Sequence, residues 1–177
     1  RFAVQFYSLL IIKVMSYKLF IYIIATFMIT IFGCRNGKKT SSPDTLDLMK
    51  YGVPYTINAP DDVKVAKVGA GKLEDISIKN SNGYDVQVFM GDAFSSDLEK
   101  LKSIKKEEIT SNPSFKKIIE EFDNGFIYEK TSDVGERNYD FSIIVVQGDK
   151  EITFQAGNSK EFTEAEVKTM VNSINKN

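Results

Sequence analysis

No residue between Leu19 and Gly33 carries a charge, and at Cys34 the character of the chain changes abruptly. An uncharged apolar stretch of that kind does not lie on the surface of a water-soluble domain. A globular fold is therefore expected only from the residues that follow Cys34. Three of the 23 basic residues (Arg1, Lys13, Lys18) and no acid lie in 1–34, which leaves 20 bases against 24 acids beyond it, a net charge of −4. Such a surface has no electrostatic attraction for nucleic acid. The remaining length is enough for one domain with an ordinary core. A single Cys excludes an internal disulfide.

The chain opens on Arg1, and Met15 is the first plausible start, so residues 1–14 read as upstream translation. From Met15 the order is a short basic stretch, the apolar run Leu19 to Phe32, and then Gly33-Cys34. That is the layout of a signal peptide over 15–33. Its end, Ile31-Phe32-Gly33-Cys34, resembles the lipobox of bacterial lipoproteins, although Phe32 is bulkier than usual at its position. The resemblance implies that Cys34 carries lipid, that the chain is cut before it, and that the product is anchored to a membrane of the bacterial envelope, facing the periplasm or the exterior. The alternative is an uncleaved anchor, since residues 2–33 can just span a bilayer. Arg35 to Asp44 has no apolar residue and reads as a flexible tether, so that 34–44 comprise lipid attachment and spacer.

Residues 45–177 are expected to form a single α+β domain. Thr45 to Tyr51 reads as a short helix or an arm. Tyr55 to Pro60, then Val63, Val65 and Val68, read as extended. Gly69-Ala70-Gly71 is a turn. Leu73 to Lys79 and Tyr84 to Met90 flank the hairpin signal Asn82-Gly83, with Tyr84, Val86 and Val88 alternating against Asp85 and Gln87. Ser96 to Glu99 has the form of a capping box, opening a helix to about Ile109 with Leu98, Leu101 and Ile104 inward. Asn112-Pro113 is expected to open a second helix. In it Phe115, Ile118, Ile119 and Phe122 form one stripe, and Asp123-Asn124-Gly125 ends it. Phe126 to Lys130, Asn138 to Gln147 and Glu151 to Ala156 read as strands. The middle one carries Tyr139, Phe141, Ile143 and Val145 on one face and Ile144 and Val146 on the other, with its end buried on both sides. Thr163 to Glu166 is a second capping box with Phe162 and Val167 as its staple, opening a helix whose buried face is Val167, Met170, Val171 and Ile174.

Strands, helices, strands and a closing helix predict an antiparallel sheet covered by helices. In element order, over roughly residues 53–175, this resembles the Mog1/PsbP-like proteins. The resemblance implies an α/β/α sandwich and a binding or assembly factor rather than an enzyme. It carries no motif residue across.

The chain has no His, which excludes a Ser-His-Asp triad, a Cys-His dyad and a His-ligated metal. Gly69-Ala70-Gly71-Lys72 lacks the spacing of a phosphate loop, and Leu73 stands where that loop needs Ser or Thr. Asp61-Asp62, Glu107-Glu108 and Glu120-Glu121 read as solvated acids that do not converge. Asp133 and Glu136 leave calcium open without an EF-hand spacing. No catalytic, metal or cofactor residue is assigned. Tyr51, Tyr55, Tyr84, Tyr128 and Tyr139 are expected mostly in the core, with some free to line a groove. The expected function is a non-catalytic lipoprotein held to the membrane by lipid on Cys34, binding another envelope protein or helping to assemble a complex. The alternative is a small-ligand carrier or a carboxylate-based hydrolase of the envelope. A deep pocket of convergent carboxylates and tyrosines would favour that alternative.

Overall fold

The computed structural model describes residues 44–69, 75–132 and 134–175. The chain divides into two units, 1–40 and 41–177, and every described residue belongs to the second. Cys34, the apolar run before it, Ala70 to Glu74 and Asp133 lie outside the described residues. Among the described residues no helix is long and apolar enough to cross a membrane.

β1 (Asp44–Asp47) pairs antiparallel with β2 (Thr56–Ala59). A 3-10 helix between them, Leu48–Tyr51, is capped by the Asp47 carboxylate and closed by Gly52 at φ +94°. The main sheet has seven strands: β3 (Lys64–Val68), β4 (Asp75–Lys79), β5 (Asp85–Asp92), β6 (Phe115–Phe122), β7 (Gly125–Thr131), β8 (Arg137–Gln147) and β9 (Lys150–Ala156). Their order is β3-β4-β5-β9-β8-β7-β6, antiparallel throughout. The last strand thus inserts between two locally formed meanders and joins them. Helix α1 spans Leu98–Thr110 and α2 spans Glu164–Asn175. The class is α+β.

One face of the sheet builds the core. Ile76, Val88, Phe154 and Ile143 stand opposite one another across β4, β5, β9 and β8. Ile78, Val86 and Ala156 form a parallel row. Val167, Met170, Val171 and Ile174 of α2 close over them, with Leu48, Val53 and Ile57 from the β1–β2 hairpin in the same cluster. α2 begins as its local signals require. Thr163 Oγ1 accepts from Glu166 N at 3.3 Å, and Glu166 Oε2 accepts from Thr163 N at 2.9 Å. Phe162 and Val167 are both buried in the core.

Residues 115–122 are not a helix. They form β6, the edge of the sheet, paired with β7. The helix-like spacing of Phe115, Ile118, Ile119 and Phe122 comes from register shifts between Phe115 and Lys117 and between Ile118 and Glu120. Bulges of this kind insert residues and spoil the strict alternation of a strand. Phe and Ile also favour strands once a partner is present, and Phe126 to Tyr128 supply it. Asn112 accepts from Ser114 N rather than opening a helix, and Asp123-Asn124 is the turn of the β6–β7 hairpin.

This correction changes what Glu120 and Glu121 do. Neighbours on a strand point to opposite faces. Glu120 reaches Lys168 of α2 at 3.4 Å, whereas Glu121 bonds Lys106 of α1 at 2.5 Å. The two helices therefore lie on opposite sides of the sheet.

Three smaller expectations also shift. The N-cap of α1 is Asp97, which accepts from Lys100 N at 3.2 Å, and not Ser96. Glu99 turns to Lys102 instead of reaching back. Leu101 is the buried residue of α1, while Ile104 is 46 % exposed, because this helix covers only the β6 and β8 side of its face. In β8, burial on both faces falls on Asp140 to Ile144, with Val145 and Val146 half-buried. The β9 insertion makes that middle the centre of the sheet.

Candidate functional site

The polar chemistry gathers where β5 begins and β9 ends. β9 leaves the sheet at Ala156, because its N–H donates to the Asp140 side chain at 3.0 Å rather than to a backbone carbonyl. The next amide, Gly157 N, donates to Asp85 O of β5 at 3.0 Å. A Cβ on Gly157 would stand 2.0 Å from Asp85 Oδ1, so only glycine leaves room for that carboxylate. The chain then crosses the end of the sheet to α2. Phe162 N donates to Asn138 Oδ1 at 2.8 Å and Tyr139 N to Phe162 O at 3.0 Å, which ties the crossing segment to β8.

Two hollows flank this segment. A cleft of about 440 Å³ is lined by Ser114, Lys130, Ser132, Asn138, Asp140, Asn158 and Glu161 among others. A second, of about 390 Å³, is lined by Lys79, Asn80, Ser81, Asn82, Asp85 and Ser159. Ser159 and Lys160 border both.

Asp85 and Asp140 are 2 % and 5 % exposed. A buried carboxylate is tolerated only when paired or hydrogen-bonded. Asp140 meets that demand in full. It bonds Lys130 Nζ at 2.6 Å and accepts from Phe141 N at 2.7 Å as well as from Ala156 N. Asp85 accepts from the Ser159 hydroxyl and lies 3.3 Å from Lys79 Nζ, but its Oδ1 has no partner. Burial, and then the negative charge of Asp140, push the Tyr128 hydroxyl well above the usual tyrosine range. Burial likewise pushes Tyr84 up to about 12, against a hydrogen bond with Ser173 at 2.8 Å that lowers it.

Each buried aspartate is engaged by a lysine, Lys79 for Asp85 and Lys130 for Asp140, so neither carboxylate stands free of a partner. The lining offers hydroxyls, amides and charges of both signs, which suits a small polar ligand.

The residues singled out in the sequence scatter. Asp62 lies beside the second hollow, where it accepts from Asn80 and Asn82 side chains at 3.0 and 3.1 Å. Glu108 pairs with Lys105 on exposed α1, and Glu107 is exposed. Glu136 donates its N–H to Ser132 Oγ, and Asp133 is outside the described residues. Among the described residues no group of acids stands close enough to hold a metal. Of the five tyrosines, Tyr84 and Tyr128 are buried, while Tyr51, Tyr55 and Tyr139 pack half-buried against the core. The Tyr55 ring packs against Phe154 at 5.2 Å with a 55° tilt, and its hydroxyl donates to Ile174 O. The exposed ring is instead Phe94, 76 % accessible beneath Lys100. Sequence reasoning missed Asp85, Asp140 and Ser159. The two aspartates look like the solvent side of an alternating strand, and only Gly157-Asn158-Ser159 after a strand hinted at a turn. Compared with known proteins, the chain matches no family model, no curated protein and no solved structure.

Proposed function

We propose that this protein is a lipid-anchored protein of the bacterial envelope whose domain works by binding rather than by catalysis. The observation that carries the reading is the order along the chain: an uncharged run ending at Cys34, a polar tether, and then a domain whose first strand begins at Asp44. Several acyl chains on one cysteine give stable anchoring, where one chain is marginal. The lack of His and the pairing of both buried aspartates with lysines support a binding role. The likeness to Mog1/PsbP-like proteins belongs to the same proposal. An antiparallel sheet with a helix on either side supports it, although the middle of the chain holds one helix and an edge strand where that reading expected two helices. The test is metabolic labelling with a clickable fatty acid, followed by detergent partitioning. The wild type should be labelled and partition into detergent. Cys34→Ala should lose the label while keeping the uncleaved apolar run, and equal labelling of that variant refutes the anchor. A partner in the envelope is sought by crosslinking intact cells.

A second reading, carriage of a small ligand, is favoured by the polar cleft over Lys130 and Asp140. A thermal-shift screen of envelope metabolites tests it. A hit that survives in Lys130→Ala places binding elsewhere.

A further inference from the structure

We propose that Asn82 is a site of spontaneous covalent modification, losing its side-chain amide to attack by the Gly83 backbone nitrogen, while the chemically equivalent Asn124-Gly125 stays intact in the folded protein. Asparagine is among the thermally labile residues, and a following glycine offers the least steric hindrance to this attack.

The step is balanced as follows. The Gly83 amide gives its proton to solvent base and its nitrogen bonds to Asn82 Cγ. The Cγ–Nδ2 bond breaks and ammonia leaves. A five-membered succinimide remains, and water opens either carbonyl to give aspartate or isoaspartate.

The turn between β4 and β5 leaves this route open. Asn82 is exposed, and Gly83 sits at φ +96°. Among the described residues no non-glycine has positive φ, so Asn82 is not the left-handed first half of a two-residue turn. The loop closes through Asn80 N to Tyr84 O, and the Asn80 side chain accepts from both Asn82 N and Tyr84 N at 2.9 Å. The Gly83 N–H between them has no hydrogen-bond partner among the described residues. One bond restrains the reacting amide, Asn82 Nδ2 to Asp62 Oδ2 at 3.1 Å.

Asn124-Gly125 is locked on every side. Asn124 O accepts from Ile144 N at 2.8 Å, and its Nδ2 donates to Asn175 Oδ1 at 3.2 Å. Gly125 stands in register with Phe122 on one side and Ile143 on the other. Forming the ring there requires a backbone rotation that both ladders resist.

Conversion of Asn82 replaces a donor with a carboxylate facing Asp62. Like charges at that separation repel. The turn loosens, and a negative charge is added to the hollow that holds Lys79 and Lys160.

The test is peptide mapping of the full-length protein after incubation at mildly alkaline pH. Trypsin separates the two sites into peptides 80–100 and 118–130. Tandem mass spectrometry reads amide loss, and isoaspartyl methyltransferase labelling reads the isomer. Asn82 should convert at least about tenfold faster than Asn124, equivalent to ~1.4 kcal/mol in the barrier. In denaturant the two rates should come together. Asp62→Ala should speed conversion at Asn82 and leave Asn124 unchanged. Equal rates in the folded protein, or faster loss at Asn124, overturn the proposal. So does a slower Asn82 in Asp62→Ala.

Discussion

Gly157→Ala tests the geometry of the sheet end directly. Gly157 lacks a positive φ, so its backbone admits alanine without strain, and the entire penalty must come from the side chain. The new Cβ would stand 2.0 Å from Asp85 Oδ1 and 2.2 Å from Cγ. A carbon and an oxygen need about 3.3 Å, so the carboxylate must withdraw by more than ~1 Å. It is buried, and moving it breaks its bonds to Ser159 and Lys79. Overpacking costs ~1–3 kcal/mol, and a lost hydrogen bond to a charged group ~1.5–3 kcal/mol. The sum is about 2.5–6 kcal/mol. Asp85→Ala alone should cost less, about 1–3 kcal/mol, because it also removes the unpartnered Oδ1. In the Asp85→Ala background the methyl meets no carboxylate. Gly157→Ala should then lie within ~1 kcal/mol of neutral and can stabilise, since alanine restricts the unfolded chain. The expected coupling is nearly the whole wild-type cost of Gly157→Ala, about 2–6 kcal/mol. Urea unfolding followed by far-UV circular dichroism and tyrosine fluorescence measures all four corners, as the chain has no Trp. Strictly additive costs, or a neutral Gly157→Ala in the wild type, would refute the close approach of Asp85 to Gly157.

Three further outcomes are expected. Thr163→Ala should cost about 1 kcal/mol as a lost cap. Met170→Ala should cost ~2–5 kcal/mol, and Val171→Asp should unfold the domain by burying an unpaired charge. Near-wild-type denaturation midpoints for all three would mean that α2 does not close the core. Lys160, with Thr163 N–H, holds the Glu166 carboxyl down at about 2 from an ordinary 4.5. Its contribution is whole above pH 4.5 and fades as pH falls towards about 2. Midpoints measured against pH should therefore fall less steeply in this window for Glu166→Gln. Of the eight tyrosines, Tyr84 and Tyr128 should stay neutral until the fold gives way. The stability from keeping Tyr84 neutral is whole below pH 10 and lost as pH rises through about 12. An ultraviolet alkaline titration of the native protein should show their ionisation arriving together with the loss of circular dichroism. Ionisation of all eight before unfolding would contradict their burial.

What the sequence determined by itself was whatever depends on neighbours in the chain. The closing helix was legible in full, because a cap, a staple and a stripe all lie within one short segment, Phe162 to Ile174, and need only the helix's own geometry. The β4–β5 hairpin and the alternation of Val86 with Gln87 were legible for the same reason. The missing His bounded the chemistry without any fold. Tertiary structure decided the rest. Phe115 to Phe122 became a strand because Phe126 to Tyr128 offered a partner, and its bulges had disguised the period. Ile104 stayed in water because α1 covers only part of its face. Alternation set Asp85 on the side away from the core, and Asp140 stood unremarked between Tyr139 and Phe141. They are buried because β9 inserts between β5 and β8 and its continuation, Gly157 to Phe162, folds over the strand ends. Burial of a charge is a property of what crosses above it, brought in from some 70 residues along the chain in the case of Asp85 and Ser159. No local pattern carries that information, so the candidate site appeared only when the distant segments were in place.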